Sequence, residues 1–205
     1  VRYSSLTVTR VAFFGGSFNP PHIAHVLACA LLVAVEEIDR VIVVPAFRHP
    51  FAKALAPFDD RKAMCEIAMA WIPGVEVSAV EAELGGESRT LHTLEHLRRA
   101  HPDWKLRLVI GADILAEAHK WFGFDAIAAI APPIVLGRAG IDTPDAPPPL
   151  LPEVSSTQVR ALVAAEAWDD VRTLLPRRVL EYVRTHGLYL KGAPEEERRG
   201  GHRDD

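Results

Sequence analysis

The sequence predicts an α/β protein, a Rossmann-like parallel sheet with helices on both faces, plus a small C-terminal helical part. Three observations predict it. Short β-branched runs that are apolar throughout, such as Val41-Ile42-Val43-Val44, suit strands covered on both faces. Segments with apolar residues at 3.6-residue spacing lie between them. The two kinds alternate as strand, helix, strand, helix along the chain.

Taken in order, residues 8–14 read as a first buried strand. A helix follows from about His22 to Glu37, with Ala24, Leu27, Ala28, Leu31, Leu32 and Val35 on its inward stripe. Residues 41–44 form the second strand. The next helix runs from about Phe58 to Trp71, with Ala63, Ile67 and Ala70 inward, and Val75–Val80 gives a further short strand. A third helix covers Leu91–Ala100, residues 106–110 make the third main strand, a short helix spans about Ile114–Glu117, and 134–136 is the fourth main strand. Thr143–Pro152 is rich in proline, which bars regular helix and central strand, so it is expected to cross the surface. Two short helices then occupy about 157–165 and 176–184, with Pro176 in the first turn of the second and Asp169 or Asp170 capping a turn between them. Trp71, Trp104 and Trp168 are expected to pack.

Residues 1–190 are read as one domain, its helical part beginning at about 155, and 191–205 as a charged, disordered tail. The net charge of −4 supplies no global basic field, so a nucleic-acid partner is not expected, while a small anion can still bind at a local positive site. Cys29 and Cys65 both fall inside apolar helical patterns and read as buried small hydrophobes rather than zinc ligands or a disulfide. No run of 18 apolar residues occurs, and the start shows no basic patch leading into an apolar stretch. A membrane partner is therefore not expected, and the cytoplasm is the default location. A homo-oligomer is left open.

Two segments carry chemistry. Gly15-Gly16-Ser17-Phe18-Asn19-Pro20-Pro21-His22-Ile23-Ala24-His25 follows the first strand. Glycines permit tight turns and close backbone approach. The prolines lead into a helix start, whose outward N–H groups favour an anion. His22 and His25 share one helical face and can reach the phosphates of a nucleoside triphosphate. No Lys-Ser/Thr pair follows the glycines, so this is not a P-loop, and a third glycine in the frame of a dinucleotide fingerprint is missing. The second segment is Ser155-Ser156-Thr157-Gln158-Val159-Arg160, where hydroxyls can cap a helix and face a phosphate while Arg160 offers its fork a turn later. Read alone, the first segment also suits a proline-rich turn with two surface histidines, and the second a plain N-cap. Asp113, in Gly111-Ala112-Asp113 after the third main strand, suits a ribose hydroxyl or a helix N-cap.

The first segment resembles the phosphate signature of the nucleotidyltransferase superfamily, and nearly the whole chain to about residue 190 resembles the bacterial nicotinate-nucleotide adenylyltransferases. Their segment usually reads Gly-Gly-x-Phe-Asp-Pro-x-His-x-Gly-His. Asn19 stands here in place of the aspartate and Ala24 in place of the glycine. The resemblance implies that Gly15, Gly16, Ser17, Phe18, Gly111, Asp113, Ser155, Ser156 and Thr157 bind ATP. It implies that His22, His25 and Arg160 act on the phosphates, with Lys53 as a further participant. In Arg48-His49-Pro50-Phe51-Ala52-Lys53, His49 matches the histidine of a family His-Lys pair, and Lys53 stands in for the lysine. On the acceptor side it implies Thr90, Thr93, Trp121 and Arg138. Trp121 would stack on a pyridine ring and Arg138 would hold a phosphate or carboxylate. His92 replaces the aspartate of a family Thr-x-Asp-Thr-Leu stretch. Arg61 matches a family arginine and is read as structural.

The implied reaction joins ATP, with Mg²⁺ bridging its triphosphate, to nicotinate mononucleotide. The mononucleotide phosphate attacks the α-phosphorus in line and pyrophosphate leaves. The attacker is already an anion, so alignment and charge stabilisation carry the catalysis, with no protein metal cage expected. Nicotinamide mononucleotide, phosphopantetheine or another phosphorylated acceptor is the nearest alternative. An inactive nucleotide-binding module is the alternative of another class.

Overall fold

The computed structural model describes residues 8–48, 55–112, 121–137, 139, 147–148 and 150–191. In chain order the elements are β1 (Thr9–Gly16), α1 (Ile23–Val35), β2 (Arg40–Pro45), α2 (Phe58–Met69), β3 (Val75–Val77), α3 (Val80–Leu84), α4 (Thr90–Ala100) and β4 (Trp104–Gly111). Then follow α5 (Phe124–Ile130), β5 (Pro133–Leu136), α6 (Ser156–Ala164), α7 (Trp168–Leu174) and α8 (Arg177–Thr185). Among the described residues the strands form one sheet in the order β3-β2-β1-β4-β5, with every neighbouring pair parallel.

Alternation along β1 divides the core. Ala12 faces a cluster built with α1, α2 and the C-terminal helices α6–α8, through residues such as Leu32, Met64, Val159 and Val179. Val11 and Phe13 face the opposite cluster, where Leu94, Leu97 and Ile127 close over the sheet from α4 and α5. Val11, Ala12 and Phe13 are all fully buried, which is why this strand reads as apolar throughout. The sheet order changes direction between β1 and β4. A crevice therefore opens beyond their carboxyl ends, at Gly16 and Gly111, where ligands of open α/β sheets sit.

Several sequence expectations are corrected here. In α1 the buried residues are Ala24, Val26, Ala28, Cys29 and Leu32, while Leu27 and Val35 are exposed. In α2 they are Phe58, Arg61, Met64, Cys65, Ala68 and Met69, and Ala70 is exposed. β3 stops at Val77 and Val80 opens α3. Asp169 and Asp170 do not cap a turn but form the first turn of α7, an unexpected helix, and Pro176 is the N-cap of α8 rather than a residue of its first turn. Trp71 is exposed instead of packed, whereas Trp104 stacks on His101 with ring centroids 3.8 Å apart and Trp168 packs against the core. The short helix expected near Ile114–Glu117, and the expected tail beyond Lys191, lie outside the described residues. Cys29 and Cys65 are buried as expected, and burial pushes the Cys29 thiol up to about 12.

Candidate active site

The loop from β1 to α1 is held by its carbonyl groups. Gly16 O accepts from Ala46 N–H at 2.9 Å. Ser17 O accepts from Arg61 Nη1 at 3.0 Å. Asn19 O accepts from Arg160 Nη1 at 2.8 Å, and Pro20 O accepts from Ser156 Oγ at 2.9 Å. A loop that grips an anion needs its carbonyl oxygens turned away from it, since oxygen lone pairs repel phosphate and N–H groups attract it. Side chains and a neighbouring strand end supply that restraint here. Two of the four holds come from α6, so the two segments expected to bind phosphate are built against each other.

Gly15 and Gly16 do their work inside the strand rather than in a turn. Both pair with β2, opposite Val44 and Pro45. A Cβ at Gly15 would stand 2.8 Å from the Phe13 ring, so the glycine leaves room for a buried aromatic. Phe18 has a left-handed backbone, φ 45°, and its ring is buried.

His22 is the N-cap of α1, with extended backbone, and is 4% exposed. Its N–H donates to His25 Nδ1 at 3.1 Å. That bond makes Nδ1 the acceptor and places the His25 proton on Nε2. The two imidazoles stack with centroids 3.7 Å apart. The edges of Phe18, at 4.9 Å, and Phe14, at 5.9 Å, fix the His25 ring from the other sides. The pair is therefore set in orientation before any ligand arrives.

On α6, Ser155 is the N-cap and its hydroxyl accepts from Gln158 N–H at 3.1 Å. Thr157 is exposed, and its Oγ1 accepts from Arg160 Nη2 at 3.3 Å. A guanidinium has five N–H donors. These two bonds anchor Arg160 and leave most of its fork for other acceptors.

Arg61 is fully buried. Besides Ser17 O it donates to Ala46 O and Ala56 O, both at 2.8 Å, so one side chain ties the ends of β1 and β2 to the start of α2. This fits the structural role expected for it.

The acceptor-side residues lie around α4 and the turn before α5. Thr90 begins α4 and is half-buried. Thr93 is buried, and its Oγ1 lies 3.4 Å from Glu81 Oε1 and 3.3 Å from Arg89 O. Trp121 is half-buried and meets the Phe124 ring edge-on at 6.3 Å. Gly123 has φ 70°, and a Cβ there would meet Leu91 at 2.9 Å, so that turn packs tightly on α4. His92 is exposed, with its ring 6.5 Å from that of Phe122. A pocket of about 250 Å³ opens beside them, lined by Glu81, Ser88, Arg89, His92, Thr93 and His96 among others. Of the other expected site residues, Gly111 ends β4, while His49, Lys53, Asp113 and Arg138 lie outside the described residues.

Three participants are not evident from the sequence. Asn19 is 2% exposed and accepts hydrogen bonds on both its backbone and side-chain oxygens. Glu81 is a buried carboxylate that accepts from Phe47 N–H at 3.2 Å as well as from Thr93. Burial raises its carboxyl above the ordinary value, against hydrogen bonds from Ser88, Phe47 and Thr93 and the charge of Arg61. Tyr189 donates to Asn19 from the far end of the chain.

The arrangement has recognisable relatives. A family model described as Cytidylyltransferase-like matches residues 13–162. A protein of Anaeromyxobacter sp. (strain K), named "Probable nicotinate-nucleotide adenylyltransferase", is 47% identical over 182 residues, covering 87% of this chain and 96% of its own. One of the same name from Thermus thermophilus is 34% identical over 186 residues, covering 88% of this chain and 99% of its own. In fold, the chain resembles the solved Plasmodium falciparum nicotinic acid mononucleotide adenylyltransferase complexed with NaAD. The TM-score is 0.78 at 17% identity, over 88% of this chain and 97% of that one.

Proposed function

This chain belongs to the nicotinate-nucleotide adenylyltransferase family, and on that premise we propose that it transfers AMP from ATP to nicotinate mononucleotide, with His22, His25 and Arg160 around the phosphates. The products are deamido-NAD and pyrophosphate. The observation that carries the site assignment is the junction of the two phosphate-binding segments, Arg160 and Ser156 of α6 on the carbonyls of Asn19 and Pro20. A triphosphate lying across that junction meets both.

The mononucleotide phosphate is an anion at neutral pH and attacks without help from a base. The chain has to align it with the α-phosphorus and stabilise charge gathering on the phosphoryl oxygens and on pyrophosphate. His25 offers its Nε2–H in a fixed direction, and the first-turn N–H groups of α1 add the positive end of the helix. Arg160 adds permanent charge on an anchored fork. Mg²⁺ enters with ATP as part of the substrate, neutralising phosphate charge and keeping much of its shell as phosphate oxygen and water. Among the described residues no three His, Cys, Asp or Glu side chains group to hold a metal.

The names of the relatives support a pyridine mononucleotide as acceptor, and the half-buried Trp121 offers a ring for it to stack on. The test is dinucleotide formation and pyrophosphate release with ATP and a panel of nicotinate mononucleotide, nicotinamide mononucleotide and phosphopantetheine. The highest kcat/KM is expected with nicotinate mononucleotide. Another acceptor ranking first would displace that substrate, and no pyrophosphate with any acceptor would displace the enzyme itself.

A further inference from the structure

Asn19 gathers more bonds than a turn residue needs. Its Oδ1 accepts from Ala56 N–H at 3.0 Å and from the Tyr189 hydroxyl at 2.9 Å, which uses both lone pairs of the amide oxygen. Its backbone oxygen holds Arg160. Tyr189 lies just beyond α8 and comes to Asn19 across 170 residues. Leu188 and the Tyr189 ring both pack against the core here, and the Tyr189 hydroxyl is the polar end that reaches Asn19.

Backbone conformation adds a second observation. Among the described residues, Phe18, Glu166 and Tyr189 are the non-glycine positions in the left-handed region, at φ 45°, 54° and 65°. L side chains adopt this region rarely and hold it only where surrounding contacts enforce it. One of these residues is in the phosphate loop next to Asn19, and another is the tyrosine bonded to Asn19. Burial raises the Tyr189 phenol well above its ordinary value, which keeps the hydroxyl protonated as a donor at every working pH.

We propose that Tyr189 is a positioning residue for the transfer reaction: its hydroxyl, acting through the Asn19 side chain, fixes the β1–α1 loop so that its carbonyl oxygens stay turned from the triphosphate and the histidine pair stays on it. This rests on the adenylyltransfer reading above. It makes the turn that follows α8 part of the catalytic geometry.

The test is steady-state dinucleotide formation by full-length protein, assayed well below the unfolding midpoint of each variant. Tyr189→Phe removes one hydroxyl and leaves the ring. The expected result is a kcat about 5- to 10-fold lower with KM for the mononucleotide within about twofold, the effect of one lost hydrogen bond on alignment. Asn19→Ala is expected to be slower still, and Tyr189→Phe combined with Asn19→Ala no slower than Asn19→Ala alone, because the hydroxyl acts through that amide. A Tyr189→Phe kcat equal to the wild type, or losses that multiply in the double variant, would overturn the proposal. A wild-type protein that forms no dinucleotide would instead overturn the functional reading, and the proposal with it.

Discussion

Arg160 Nη1 donates to the carbonyl oxygen of Asn19 at 2.8 Å, across 141 residues of sequence. This bond, with Ser156 on Pro20, joins the two segments that the sequence presents as separate anion sites. The loop after β1 and the start of α6 share one wall because the chain crosses the sheet and then packs its C-terminal helices on the same face as α1 and α2. The joint has two consequences for Arg160. It is a strut for the loop, through Nη1, and on the proposed reading also an oriented cation for the phosphates.

Arg160→Lys separates those duties. Lysine keeps the charge but has no planar fork to reach Asn19 O and Thr157 Oγ1 together. The expected kcat/KM for dinucleotide formation is lower by about 10- to 100-fold, roughly 1.4 to 2.7 kcal/mol of transition-state stabilisation. A variant with wild-type kcat/KM would show that charge alone suffices.

His22→Ala and His25→Ala are each expected to lower kcat by roughly 100-fold or more, by analogy with the loss of an oxyanion donor. The effects should overlap in the double variant, because the two rings stack and each side chain helps to hold the other in place. Unchanged turnover in either single variant would remove that residue from the mechanism.

Glu81 gives stability a pH dependence of known sign. Its carboxyl is raised above the ordinary 4.5, chiefly by burial, so the folded protein holds this proton more tightly than the unfolded chain does. The contribution is fully present below the ordinary value and is lost as pH rises through the raised one. Glu81→Gln removes the titration and keeps an acceptor for Phe47 N–H. Urea unfolding of both proteins between pH 4 and about pH 8 should show the wild type losing stability relative to the variant as pH rises. Parallel curves would contradict the assignment.

Arg61→Ala is expected to destabilise by about 3–5 kcal/mol, from buried carbonyl oxygens left without a donor and the cavity left by the side chain. Three carbonyl oxygens, Ser17, Ala46 and Ala56, lose a donor, and a large volume empties between β1, β2 and α2. Urea unfolding reads this directly. A loss below about 1 kcal/mol would mean that water replaces the guanidinium there.

How much of this is legible without the structure depends on what fixes each feature. The strands β1, β2, β4 and β5 are rich in buried apolar residues, although Lys105 and Arg107 interrupt one face of β4, and they can be read to within a few residues. The inward faces of α1 and α2 mislead for different reasons. α1 is apolar almost all round, so spacing alone cannot choose between Leu27 and Val26. α2 buries an arginine, which a hydrophobic stripe passes over. α7 hides because its opening Asp169-Asp170 looks like a turn, although acids also suit the first turn of a helix. His22, His25, Ser155, Ser156, Thr157 and Arg160 are legible because side-chain chemistry at helix starts leaves a pattern. The holds on the β1–α1 loop are not, since their acceptors are backbone carbonyls that any residue carries. Asn19 gives the one hint, as an amide where the motif it resembles has an aspartate. Nothing near Tyr189 in sequence points to a partner 170 residues away.

The most direct measurement is a crystal structure of the protein with Mg²⁺ and a non-hydrolysable ATP analogue. The expected result places phosphate oxygens within about 3 Å of His25 Nε2 on one side and of the α6 start or the Arg160 fork on the other. A triphosphate held by only one of the two segments, or bound elsewhere on the molecule, would contradict the shared site.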